Sequence, residues 1–426
     1  LKRLLIISPY FAPVNAADMQ RVRMSLPYFA DNGWEAEVVM VDEKYTEIAK
    51  DELLLQTIPG HIKIHTVKAF DKRFTGKFGL GSIALRALWF YRQKVNQLLT
   101  TAKYDLIYFS TTQFPVCVLG SYWKHRFGIP YVIDMQDPWH STYYQDKPES
   151  LRPKKYWFSY RLNKYLEPVA MKQVDGLISV SESYITDLKS RYPRISRVPA
   201  ATITFGAFEK DMEIAIANQH LFTPILQSGY LNIVYVGRGG ADMHQSITTI
   251  FDAVKHGLIN NPSLYTLVKI YFIGTSYAPT GEGKATILPL AMQYGLEEHV
   301  VEITDRISFF HTLITLKQSD GLFMPGSDDP KYTASKIYPY LATQKPLLAI
   351  FHPLSPAINV LKEYGAKYCY TFENIQRDDI DRFISDLSAG KENIQHYQPG
   401  AIEKYSAQQM TKKQCLLFDK ALNGKN

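Results

Sequence analysis

The chain has 426 residues, enough for two or three domains with cores of their own, and 46% hydrophobic against 21% charged residues is the balance of a globular protein rather than a disordered or fibrous one. A net charge of +7 and three widely spaced cysteines, Cys117, Cys369 and Cys415, leave no disulfide framework and no cysteine metal site. No apolar run approaches the roughly 18–20 residues of a membrane span, and the opening run LLIIS is shorter than the roughly 7–15 residues of a signal-peptide core, so a cytoplasmic protein is expected.

LLIIS (4–8) reads as a short buried strand. The loop PYFAPVNAADMQ leads into a helical pattern that stops near Asn32-Gly33, and EAEVVMV (35–41) is the second strand. The segment His61–Lys103 then carries nine Lys or Arg against the single acid Asp71, a local +8. It also holds Phe70, Phe74, Phe78, Leu80, Trp89 and Phe90. Basic residues mixed with aromatic ones suit an anionic membrane surface, and RPKKYWFSYRLNKYL (152–166) is a second such stretch. A solvated face on core helices explains the same pattern. Nucleic acid is not expected, because no binding-module signature accompanies the charge. YDLIYFST (104–111), IPYVIDM (129–135), DGLISVS (175–181) and RVPAATITF (197–205) are the remaining strands of this half, with a helix starting at Ser181.

The second half repeats the scheme. Strands are expected at 231–237, 268–274, 300–304, 320–326, 346–351 and 367–372, separated by helices, and residues 402–422 are helical in pattern. Strands alternating with helices imply parallel sheets covered on both faces. The expected fold class is therefore α/β, with two Rossmann-like doubly wound domains facing a cleft, at 1–205 and 206–401, and a C-terminal helix at 402–426.

Several familiar sites are missing their parts. Gly237-Arg238-Gly239-Gly240 follows a strand, but Asp242 stands where a dinucleotide fingerprint needs its third glycine. Gly283-Lys284 is followed by Ala285, which lacks the hydroxyl a P-loop gives to magnesium. No Gly-x-Ser-x-Gly and no His-Glu-x-x-His occurs.

The stretch GSDDPKYTASKIYPYLATQKPLLAI (326–350) places Lys336 at the carboxyl edge of a strand, where open α/β sheets bind ligands. With Ser335 as N-cap, Lys336 falls in the first helical turn, and a cation there opposes the helix dipole unless an anion shares the site. Arg238 is a second cation at the same edge. Two such cations suit a diphosphate, and preorganised charge of this kind is usually the largest catalytic contribution. An exposed surface Lys and a helix-capping Arg are the plain alternatives.

The chain resembles the GT-B glycosyltransferases, and within them the retaining group called glycosyltransferase family 4. The likeness lies in PYFAPVNAADMQRVRMSLPYFADNGWEAEVV, GIPYVIDMQDPW, VDGLISVSESYITDLK, NIVYVGRGG and DDPKYTASKIYPYLATQKPLLAI, in that order. It implies a metal-independent transferase without a cofactor, using a nucleotide sugar as donor substrate bound mainly by the second domain. Arg238 and Lys336 match the catalytic pair that holds the diphosphate. Gly237, Gly239, Gly240, Thr304, Asp305, Asp329, Tyr332, Ser335, Ile337 and Tyr338 belong to the donor site by the same resemblance. Asn15, Ala16, Ala17 and Arg21 match the acceptor loop of the first domain; Asp137 and His140 either face the sugar or serve the core and surface. The family's paired Glu are replaced by Lys331 and Pro339, which removes its usual ribose contact; Asp328 or Asp329 could supply a carboxylate instead. A saccharide or lipid-linked acceptor at the inner membrane face, as in surface polysaccharide or glycolipid assembly, follows from the resemblance together with the basic aromatic stretches 61–103 and 152–166. A nucleotide-sugar epimerase and a non-catalytic binding protein on the same fold remain open.

Overall fold

The computed structural model describes residues 1–140, 156–330, 336–390 and 397–424. They form two compact units, Leu1–Gly206 with Ala407–Asn426, and Ala207–Ser406.

The first unit is built on seven parallel strands: β1 (Lys2–Ile7), β2 (Trp34–Val41), β3 (Lys63–Val67), β4 (Leu106–Ser110), β5 (Tyr131–Met135), β6 (Gly176–Ser179) and β7 (Ala200–Thr202). Their order is β3-β2-β1-β4-β5-β6-β7. Leu4, Leu5, Ile6 and Ile7 are all fully buried, as a strand covered on both faces requires. Between β1 and β2 the expected helix is broken into a six-residue helix, Gln20–Ser25, and two short 3-10 turns. Pro27 lies in the first of these turns and cannot donate to a continuing helix. Gly33 then reverses the chain with φ +81°, a region that penalises any side chain.

β3 falls inside the basic segment 61–103, where no strand was expected. It is the edge strand, and its residues Lys63, Ile64 and Thr66 are exposed, so it carries no apolar run. The rest of that segment is dominated by the helix Ile83–Thr101. The final helix, Ala407–Asn423, packs on this same unit. Its Phe418 ring meets Trp34 and Tyr108 at centroid distances of 5.6 and 4.9 Å, and its Gln414 donates to Ser25 Oγ at 2.8 Å.

The second unit has six parallel strands: β8 (Leu231–Val236), β9 (Val268–Ile273), β10 (Val300–Ile303), β11 (Gly321–Pro325), β12 (Leu347–Phe351) and β13 (Tyr368–Thr371). Each overlaps its expected span. The order β10-β9-β8-β11-β12-β13 reverses direction between β8 and β11. That is the switch point, where the loops leaving neighbouring strands diverge and open a crevice for a ligand.

Candidate functional site

The loop after β8 is held close to its neighbours by backbone bonds. Gly237 N–H donates to Ile273 O and Gly239 N–H to Thr275 O, both at 2.8 Å. Tyr340 Oη brackets the end of β8, accepting from Val236 N–H at 2.7 Å and donating to Val236 O at 3.1 Å. Side chains are excluded along this loop by close approach. A Cβ on Gly237 would fall on the Lys336 ammonium and the Tyr235 hydroxyl, and one on Gly239 would press Thr286 and Thr275. These glycines bring backbone and cation close together.

Lys336 sits at the N-cap position of the helix Ile337–Ala342, one residue earlier than expected. Ser335, expected as the cap, lies outside the described residues, as does Tyr332. The helix is only six residues long, and Pro339 occupies its first turn, where a missing N–H is tolerated. The charge at this edge therefore comes from the side chain more than from the helix. The ammonium lies 5.5 Å from the Tyr235 ring centroid. Among the described residues no carboxylate or carbonyl oxygen bonds it. Burial, then the neighbouring Arg306 and Arg238 charges, push its pKa down to about 8.

Arg238 follows β8 by two residues. Its guanidinium is gripped by Asp242, Nη1 to Oδ1 at 2.8 Å and Nη2 to Oδ2 at 2.6 Å. The Arg238 hydrogen bond, helped by Ser327, holds the Asp242 carboxyl down at about 2. Across the switch point, the loop after β11 is fixed by Asp328 N–H to Asp242 O at 2.9 Å and Ser246 Oγ to Gly326 O at 3.0 Å. Asp329 is exposed on that loop, its N–H donating to Ser327 Oγ at 3.1 Å.

The loop after β10 brings Thr304, Asp305 and a residue the sequence reading missed, Arg306. Thr304 O accepts from Ser276 N–H at 3.1 Å, and Asp305 Oδ1 from Gly281 N–H at 3.0 Å. Both tie this loop to the one after β9. Gly274, at φ +73°, lets the β9 loop turn beside the Arg306 backbone. The Arg306 guanidinium lies 4.0 Å from the centroid of Tyr277, which is 71% exposed. The signal for Arg306 was its place: a cation just past a strand's carboxyl end, as Arg238 is. The side chains of Ile337 and Tyr338, expected at the donor site, are both buried in the interior of the unit.

In the first unit, Asn15 N–H donates to Ala49 O at 2.9 Å, Ala16 is buried and Ala17 is exposed. Arg21 corrects the expectation of an acceptor-facing residue. It is fully buried, its Nε 2.7 Å from Asp134 Oδ2, with Nη2 donating to Ile203 O at 2.7 Å. Asp137 follows β5 and lines a cavity of about 550 Å³ with Thr112, Gln113, Phe114, Trp139 and Phe158. Loss of water, then the Asp18 charge, push the Asp137 carboxyl up. His140 packs on Tyr160 at 4.7 Å between ring centroids and lies outside that cavity's wall. Its ring nitrogens are buried with no hydrogen-bond partner among the described residues. Among the described residues no group of three His, Cys, Asp or Glu is placed to hold a metal ion.

No family model matches the chain, and no curated protein matches it either. Solved structures do. HepE of Anabaena, solved in complex with UDP, superposes with a TM-score of 0.56 at 17% identity, over 98% of this chain and 100% of that one. UDP-GlcNAc 2-epimerase of Methanocaldococcus jannaschii gives 0.53 at 10% identity over 98% and 100%. The UDP-forming α,α-trehalose-phosphate synthase of Burkholderia xenovorans gives 0.53 at 12% identity over 99% of both chains. The fold is GT-B-like. Within this GT-B-like fold, Arg238, Arg306 and Lys336 stand at the carboxyl ends of β8 and β10 and after β11, around the switch point.

Proposed function

We propose that this protein is a retaining, metal-independent glycosyltransferase that moves a sugar from a nucleotide sugar to a hydroxyl acceptor in surface polysaccharide or glycolipid assembly. The observation that carries the proposal is the largely buried Lys336 ammonium, which has no anionic partner among the described residues and feels Arg306 and Arg238 as well. Holding like charges together costs free energy that an anion returns on binding. A diphosphate fits that charge. Lys336 and Arg238 would then stabilise the leaving nucleoside diphosphate, whose oxygen takes the acceptor proton as the glycosidic bond forms. No side chain is assigned as nucleophile. Residues 206–401 would bind the donor, and the first unit, with Asp137 beside its cavity, the acceptor. The UDP bound by HepE supports a nucleotide ligand for a fold of this kind.

The test follows nucleoside diphosphate release from UDP-, GDP- and ADP-sugars with membrane-extracted acceptors. Arg238→Ala is expected to lower turnover by about 100-fold, the size of one lost charge-stabilising group. Unchanged turnover sinks the proposal. Sugar conversion without any acceptor would instead mark an epimerase, and nucleotide binding without turnover a binding protein.

The acceptor is proposed to be lipid-linked, met at the cytoplasmic face of a membrane. Phe74, Trp89, Trp157 and Tyr165 are 51–73% exposed in a region that also carries Lys72, Arg73, Arg161 and Lys164. Exposed aromatics rimmed by cations bind anionic lipid headgroups. No helix of the described residues is long and apolar enough to cross a membrane. Sedimentation with phosphatidylglycerol vesicles should fall several-fold in Phe74→Ser/Trp157→Ser and with added salt, while neutral phosphatidylcholine vesicles bind weakly throughout. Equal binding by the variant removes the membrane contact from this surface.

A further inference from the structure

Asp242 is the middle residue of the 3-10 turn Ala241–Met243, four residues beyond Arg238. Its carboxylate takes one N–H from each terminal nitrogen of Arg238, at 2.8 and 2.6 Å. A two-point fork of this kind fixes both the plane and the direction of a guanidinium, and it uses two of five donors. The pair lies against Gly240, where a Cβ would sit 3.1 Å from Arg238 Nη1 and closer still to Asp242 Oδ1. Asp242 also reaches across the switch point. Its carbonyl accepts from Asp328 N–H at 2.9 Å, which joins the β8 loop to the β11 loop. A bare loop between glycines would leave Arg238 many rotamers; this carboxylate leaves few.

Given the diphosphate role proposed for Arg238, on which this step rests, we infer that Asp242 is a positioning residue for the donor: it aims the Arg238 guanidinium at the diphosphate and buckles the β8 loop to the β11 loop. The carboxylate itself touches no phosphate. Two physical effects of removing its charge then have opposite signs. A negative charge beside a diphosphate repels it, so through-space electrostatics alone predicts tighter binding without it. Loss of the fork frees Arg238 and predicts weaker binding, because ordering the side chain must then be repeated with every ligand.

Calorimetric titration of UDP, GDP and ADP into the full chain decides between them. Asp242→Asn is expected to weaken the best-bound nucleotide roughly tenfold, the worth of a charge-assisted bond. Asp242→Glu, which keeps both acceptor oxygens, should recover part of the loss. In an Arg238→Ala background Asp242→Asn should change nothing further, since the residue acts through Arg238. Equal or tighter binding by Asp242→Asn overturns the inference, and so does an equal loss in the Arg238→Ala background. Arg238→Ala that binds like the unaltered chain removes the diphosphate role itself, which is a separate failure. A melt of each variant shows whether it is folded, and the Glu variant keeps the test open if the Asn variant is not.

Discussion

Lys336→Met is expected to make the ligand-free protein more stable and nearly unable to bind a nucleoside diphosphate. The ammonium is largely buried, and burial and two guanidinium charges lower its pKa to about 8. An unfolded Lys titrates near 10.4. The folded state therefore holds the proton less tightly than the unfolded chain. The sign follows: stability is penalised in full below about pH 8, the penalty fades as pH rises through the interval, and it is gone above about 10.5. Methionine keeps the stem and removes the charge. At pH 7 a gain on the order of 3 kcal/mol is expected, a rise of about 6–12 °C in the melting temperature of a unit this size. The gain should vanish by pH 10.5. Binding moves the other way, with affinity falling at least about 100-fold as the central charge is lost. In the unaltered chain, affinity should be flat below pH 8 and fall above it, because the ligand needs the protonated amine. Lys336→Arg should remove that bend, since guanidinium stays charged. Melts at pH 7 and 10.5 with calorimetry across pH 6.5–9.5 check all three. A less stable Met variant with unchanged affinity would leave Lys336 a structural residue.

Why Lys336 was visible in the sequence while Arg306 was not is a matter of range. Lys336 follows a strand and an acidic loop, so its place at a sheet edge can be read locally. Its electrostatic neighbour Arg306 comes from another strand, and only the sheet order brings the loops after β8, β10 and β11 together. The central strands of the second unit were legible because apolar residues dominate them, as in LNIVYV and VKIYFI. β3 was not, because an edge strand with Lys63, His65 and Thr66 lacks that signature. Ile337 and Tyr338 were assigned to the donor by position along the chain, but helix geometry turns both inward. Asp242 was noticed only as the residue that spoils a dinucleotide fingerprint; its bond to Arg238 is local, four residues away, and could have been anticipated on a turn leading into a helix.

Arg21→Met should cost about 3–5 kcal/mol of stability, the range for breaking a buried ion pair on one side. The sequence places Arg21 beside the acceptor loop, and an arginine there reads as a ligand contact. Its surroundings give it a different task. Both Arg21 and Asp134 are inaccessible to solvent, 2.7 Å apart. The guanidinium donates to Ile203 O at 2.7 Å and Thr204 O at 3.3 Å, and it lies 4.8 Å from the Phe205 ring centroid. It thus ties the helix after β1 to the end of β5 and to the segment after β7. Methionine fills much of the volume but leaves the Asp134 carboxylate in the interior with only Ser110, Gln136 and Tyr108 as donors, at 2.9, 3.0 and 3.4 Å, and leaves two backbone carbonyls short of a donor. The penalty comes from that stranded charge, so Arg21→Met/Asp134→Leu should recover a substantial part of it, a non-additive result that a simple packing defect would not give. Urea melts of the two single variants and the double measure the coupling. Were Arg21 an acceptor contact instead, Arg21→Met would leave the melt unchanged and raise only the acceptor KM.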